Sequence, residues 1–252
     1  MMAVRDLSEG LLRLPERTYG LIGLYIRWLL FQLVKLQGFT IHNPGNLPSE
    51  IPGHPFLVVA NHESYIEGFL LPLMGGTKFK SWSKDTSVGR GLVRRLYSRL
   101  TRYTSDPDLL AATHHDMERG INYYIAPEGR RNFGIGLRRG NIGIARLMQA
   151  HPKLLMVPMA MTNPRQHNAP HSIFLPHPGW QVVVGRPFKL SGDGARTNLN
   201  LKMMQEMVDE AMARIAELLP EHKRGYYRGA AAARRYTENV DITKLGAKRC
   251  AA

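Results

Sequence analysis

The stretch Val58-Val59-Ala60-Asn61-His62-Glu63-Ser64-Tyr65-Ile66-Glu67 decides how this sequence is read. It opens within the apolar run Phe56-Leu57-Val58-Val59-Ala60, which follows the breakers Pro52-Gly53-His54-Pro55 and reads as a buried strand. Polarity then switches at Asn61, a residue suited to capping a helix, so the pattern predicts strand, tight turn with His62 on it, then a helix carrying Glu67. In one regular helix a five-residue step would turn His62 and Glu67 about 140° apart. With His62 on a turn, Glu67 can fold back on it. A carboxylate that accepts from one ring nitrogen sets the tautomer and leaves the other as a base, at the strand end where open α/β sheets place their ligands. Spacing alone leaves a second reading open, a capped helix whose His62 and Glu67 are merely solvated.

A second segment repeats the layout. Ile121-Asn122-Tyr123-Tyr124-Ile125-Ala126 reads as a strand, and Pro127-Glu128-Gly129-Arg130-Arg131-Asn132 follows it. Gly129 permits a tight turn, the paired guanidiniums offer forked donors to a phosphate or carboxylate, and Glu128 can accept from a hydroxyl or hold an arginine.

These strand ends resemble the glycerolipid acyltransferases, the family of the lysophosphatidic acid acyltransferases. The family signature has Asn-His, four residues and an Asp, then a Pro-Glu-Gly-Thr-Arg-Ser block, then Val-Pro-x-Ala. Asn61-His62, Pro127-Glu128-Gly129, Arg131 and Val157-Pro158-Met159-Ala160 match, in that order. Glu67 replaces the Asp, Arg130 the Thr and Asn132 the Ser. The family's remaining acceptor block is poorly kept: with Gly91 aligned to it, Ser98 falls on its second Gly and Thr104 on its Arg, which leaves Arg99 or Arg102 to stand in.

The resemblance implies that His62, steadied by Glu67, acts as base on an acceptor hydroxyl that attacks an acyl-CoA or acyl-carrier-protein thioester. It implies that Glu128, Gly129, Arg130 and Arg131, with Arg99 or Arg102, bind the acceptor. Asn61, Pro127 and Pro158 support the motifs, and neither metal nor further cofactor is implied. The expected fold is α/β, a single domain with a mixed, largely parallel sheet flanked by helices. Residues 1–37 form an N-terminal amphipathic helical segment, 38–220 the acyltransferase domain and 221–252 a basic C-terminal tail.

Composition bounds the alternatives. The chain has 252 residues, enough for a full core, and 34 Lys and Arg against 20 Asp and Glu give a net charge of +14. The sequence pI near 10.2 directs it toward anionic partners. Both nucleic acid and anionic lipid qualify, but the arginines are interleaved with a globular pattern and no nucleic-acid motif is present, so no nucleic acid is expected. A thioester hydrolase on the same fold is the other alternative. The single cysteine, Cys250, excludes an internal disulfide framework.

Residues 11–36 form the most apolar long window. On a helix, Glu16, Arg17, Arg27 and Lys35 fall within an arc of about 100°, leaving the rest to apolar side chains. Arg27 in the middle argues against a span, and no small-residue cleavage site follows. A helix seated in the membrane interface fits, with an ordinary core-docking helix as the alternative. The resemblance favours the former, and with it a peripheral place on the cytoplasmic face of a membrane bearing anionic lipid.

Along the remaining chain, a breaker-rich loop is predicted over 46–55, helices over 64–71, 108–119, 141–150 and 198–219, and strands over 77–83, 154–161 and 181–184. Arg90, Arg94, Arg95, Arg99 and Arg102 read as a basic helix. His167, His171 and His177 share a loop that no Cys or acidic residue joins, so a zinc site is not expected. Adjacent His114 and His115 point to different sides. The tail beyond Pro220 is expected to be mobile.

Overall fold

A computed structural model describes residues 40–51, 53–63, 67, 79–83, 101–104, 106–151, 153–162, 179–195, 199–230, 234–246 and 248–249. The amphipathic segment 1–37, Arg99 with most of the basic stretch, and the three-histidine loop lie outside the described residues.

The chain forms an α/β domain. Its strands are β1 (Thr40–His42), β2 (Pro48–Glu50), β3 (Phe56–Ala60), β4 (Phe79–Ser83), β5 (Thr101–Tyr103), β6 (Asn122–Ile125), β7 (Leu155–Thr162), β8 (Gln181–Val184), β9 (Phe188–Leu190), β10 (Thr237–Asn239) and β11 (Lys248–Arg249). Its described helices of two turns or more are α1 (Leu109–Glu118), α2 (Gly143–Ala150) and α3 (Leu201–Leu218). The main sheet runs β1-β8-β7-β3-β6-β4-β5, with β9 and β10 continuing beside β7, and β2 pairs with β11 in a separate ribbon. From β7 through β5 every pairing is parallel, while β8 and β9 meet β7 antiparallel, so the sheet is mixed and largely parallel as expected.

The apolar run of β3 is continuous because both faces of the sheet are covered. Leu57 and Val59 join the core beneath α1, α2 and α3. Phe56, Val58 and Ala60 join a second core with Leu47, Trp180 and Ile242. The long helix α3 closes the first core with Met204, Met207, Val208, Met212 and Ile215, and Asn200 caps it by accepting from the Met203 N–H.

Three sequence expectations change. Arg102 lies on the edge strand β5 rather than a helix, its backbone paired with β4 at Trp82. The breaker-rich stretch after Asn46 contains β2, which finds a partner only in the distant β11. The tail is packed rather than mobile over much of its length: Tyr227, Tyr236, Thr237 and Ile242 are buried, and β10 extends the sheet. Buried apolar area outweighs basic composition there. Among the described residues no helix is long and apolar enough to cross a membrane.

Candidate active site

Parallel pairing sets the site. Val59 of β3 is level with Ile125 of β6, and Ala60 is level with Met159 of β7, so all three strands deliver their carboxyl ends to one edge. Asn61-His62 leaves β3 there, Pro127-Glu128-Gly129 leaves β6, and Met161 is the penultimate residue of β7.

Asn61 is fully buried, and its side chain does not cap a helix. Its amide donates to the Met161 carbonyl and accepts from the Met161 N–H, both at 2.8 Å. A side chain that mimics a strand partner thus continues the β3–β7 ladder one step further and fixes where His62 begins.

His62 follows with its imidazole 30% exposed and Glu67 fully buried behind it. Nδ1 lies 2.5 Å from Glu67 Oε2, while Glu67 Oε1 accepts from the Glu63 N–H at 2.7 Å. Glu67 is helical and returns its carboxylate to the ring, while the rest of the predicted helix 64–71 lies outside the described residues. The tautomer that donates from Nδ1 leaves Nε2 with its lone pair, the requirement for a base.

Glu128 faces inward. Its Oε1 accepts from the His62 N–H at 2.8 Å, its Oε2 from the Arg138 N–H at 2.9 Å, and the Asn132 amide reaches both oxygens. Burial pushes its carboxyl up to about 7 against the pull of those donors. The resemblance implies that Glu128 binds the acceptor; here its carboxylate is buried and its oxygens hold the segment that carries His62. The Asn132 N–H adds a 2.7 Å bond to the His62 carbonyl, so the two strand-end turns grip each other in both directions. Sequence reasoning passed over Asn132 as a departure from the family's Ser.

Gly129 has φ +66°, and a Cβ there would sit 2.6 Å from the Asn141 amide nitrogen. That amide donates to the carbonyls of Pro127 and Glu128, so the turn requires glycine on both counts. Arg130 is exposed and Arg131 half-buried, its guanidinium 5.4 Å from the Phe133 ring centre. Pro158 sits on β7 opposite Val59, where the chain crosses from β8 to β9 and the register slips by one residue. Its carbonyl accepts from the Gly185 N–H at 2.8 Å, and the break in the ladder spares the N–H it lacks.

Arg102 belongs to a different cluster. Its Nε donates to Asp116 of α1 at 2.8 Å, alongside the Lys80 ammonium and the Tyr123 hydroxyl. The Asp116 hydrogen bond holds the Arg102 guanidinium above its ordinary value. Another residue not singled out from sequence, Lys223, puts its ammonium 2.9 Å from Glu63, next to His62. Among the described residues no group of three His, Cys, Asp or Glu suits a metal ion.

The model of the family described as Acyltransferase matches residues 38–162, the segment that holds every strand end described above. Residues 38–162 of the chain belong to the Acyltransferase family. A crystal structure of the 1-acyl-sn-glycerophosphate (LPA) acyltransferase PlsC from Thermotoga maritima superposes with a TM-score of 0.56 over 80% of this chain and 87% of that one, at 15% identity. At that identity the likeness establishes the acyltransferase fold. No curated protein matches the sequence. Lys223 and the packed tail lie beyond the acyltransferase match, so this part of the site's support comes from outside it.

Proposed function

We propose that this acyltransferase moves a fatty acyl group from an acyl-CoA or acyl-carrier-protein thioester to a hydroxyl of a lysophospholipid or related lipid. The observation that carries the reading is the His62–Glu67 contact, a buried carboxylate 2.5 Å behind an imidazole that is itself 30% exposed. His62 Nε2 takes the acceptor hydroxyl proton as the oxygen bonds to the thioester carbonyl carbon. The carbon–sulfur bond then breaks and the proton passes from His62 to the departing thiolate. Glu67 stabilises the imidazolium formed between these steps. Glu128 and Asn132 hold His62 in place, which limits the reorganisation needed for attack. Arg130 and Arg131, on the loop that bonds the His62 carbonyl, suit an anionic acceptor head.

The excess of Lys and Arg suits a peripheral place on an anionic leaflet, as on the cytoplasmic face of a membrane. The test is incubation of purified protein with an acyl thioester and a panel of lysolipids, read by mass spectrometry. An acylated lipid formed by the wild type and lost in a folded His62→Ala variant is the expected result. Thioester consumed with no acylated product would replace the reading with a hydrolase, and an undiminished rate in His62→Ala would remove the mechanism.

A further inference from the structure

Three of the large apolar side chains that the described residues expose lie on two segments that touch. Phe133 is 40% exposed, Ile135 79% and Tyr226 60%. Phe133 and Ile135 ride the loop that begins where the Asn132 N–H bonds the His62 carbonyl. Tyr226 lies on the turn whose backbone is joined to that loop: its N–H donates to the Leu137 carbonyl at 2.9 Å, and the Leu137 N–H donates to the Lys223 carbonyl at 3.1 Å. The two backbones pack without intervening side chains. Gly225 has φ +51°, and a Cβ on it would lie 2.2 Å from the Leu137 carbonyl oxygen.

The loop is also held in an unfavourable backbone conformation. Phe133 adopts φ 53°, the left-handed region that a bulky aromatic rarely enters, and Gly134 follows at φ 77°. Strain of this kind persists where the surroundings enforce it, and it clusters at functional segments. Here the Asn132 carboxamide oxygen accepts from the Gly134 N–H at 2.9 Å, and the Ile135 N–H bonds the Asn132 carbonyl at 3.2 Å. The same Asn132 amide that steadies Glu128 therefore also shapes the tip. Within the chain the tip's apolar side chains gain little burial.

Cations border the apolar side chains. Arg130 is exposed beside the loop, Arg131 stacks on Phe133, and Arg139 lies 5.6 Å from the Tyr226 ring centre while bonded to Asp209 at 3.3 Å. Apolar and aromatic tips rimmed by guanidiniums match the chemistry of a bilayer interface, where rings sit at headgroup depth and cations meet lipid phosphates. The net charge of +14 favours an anionic surface over a neutral protein partner.

We infer that the tip formed by Phe133, Ile135 and Tyr226 inserts into the interface of an anionic bilayer and brings His62, whose carbonyl that loop bonds through Asn132, to the lipid from which the acceptor is drawn. This deepens the lipid-acyltransferase reading and rests on it. It adds a contact within the catalytic domain, separate from residues 1–37.

The test places a reporter on the tip of the full-length chain. In a Cys250→Ser background, Ile135→Cys is labelled with an environment-sensitive dye and mixed with phosphatidylcholine vesicles with or without phosphatidylglycerol. A blue shift on the phosphatidylglycerol vesicles, with quenching by lipid-borne quenchers, is expected. A dye that stays in water while the protein pellets with the vesicles would overturn the inference and leave the acyltransferase reading standing. A shift that follows protein concentration without vesicles would overturn it in favour of self-association.

Independently, Phe133→Asn with Ile135→Ser and Tyr226→Ser should weaken vesicle affinity about tenfold or more. The rate on a short-chain acceptor in free solution should remain, whereas the rate on a vesicle-borne acceptor should fall. Unchanged vesicle affinity and unchanged vesicle-borne turnover in the triple variant would also overturn the inference.

Discussion

The Lys223 ammonium lies 2.9 and 3.2 Å from the two carboxylate oxygens of Glu63, the residue after His62. The contact spans 160 residues and is largely shielded from water, with Lys223 12% and Glu63 4% exposed. It ties the C-terminal region to the backbone that carries the base. Removing one member of a buried pair costs more than the pair contributes, because the remaining charge stays in a poorly hydrated site. Lys223→Met should destabilise the protein by about 3 kcal/mol in urea unfolding. It should lower kcat more than it raises KM, and Glu63→Gln added to it should recover much of the stability.

Glu67 accepts from the His62 ring and from the Glu63 N–H at once, one oxygen to each. Glu67→Gln keeps the length and the volume but removes the charge that stabilises an imidazolium. Turnover should fall by about a hundredfold or more with donor KM little changed, read by steady-state kinetics on the purified variant. A loss of less than about threefold would mean that Glu67 only supports the turn.

Asn61 closes two bonds on Met161 inside the core. Asn61→Ala would leave a buried N–H and a buried carbonyl without those partners, at a cost of about 2–4 kcal/mol by urea unfolding. Asn61→Asp sets a carboxylate oxygen against the buried Met161 carbonyl and should cost at least as much at neutral pH.

Glu128 makes stability depend on pH. A carboxyl whose folded value is raised from 4.5 to about 7 stabilises the fold fully below the lower value, and that contribution is lost as pH rises through the higher one. The stability of the wild type minus that of Glu128→Gln should therefore fall by roughly 3 kcal/mol between about pH 4 and pH 8. A difference that stays flat across that range would show that the Glu128 carboxyl is not perturbed.

The Asp116 cluster acts in the opposite sense. Burial alone would raise the Asp116 carboxyl, and hydrogen bonds from Arg102, Lys80 and Tyr123 outweigh it and hold it below the usual range. Its contribution is present above the ordinary carboxylate value near 3.8 and is lost as pH falls below it. Arg102→Gln should cost about 1–2 kcal/mol at neutral pH and less in acid, while the acceptor KM stays as in the wild type. An acceptor KM raised severalfold with stability intact would return Arg102 to the acceptor site.

Much of the α/β layout was legible because local patterns report local structure. The apolar run of 56–60, the periodicity of 198–219, and the glycine turn after Ile125 each carry their own signal. The return of Glu67 to His62 was legible for the same reason, since only five residues separate them. The directions of longer reaches were not. Asn61 had two available roles, helix cap or ladder partner, and the choice fell to Met161, 100 residues away. Glu128 could have faced solvent, and the parallel register of β3 and β6 turned it toward the His62 N–H. Arg102 went to Asp116 because β5 and α1 meet on one face of the sheet. Sequence determined which segments become strands and which side chains hold protons or charge. The tertiary structure decided which of those groups meet, because a polar side chain goes to whichever partner packing brings within hydrogen-bond distance as water is excluded, and residue spacing does not encode that partner.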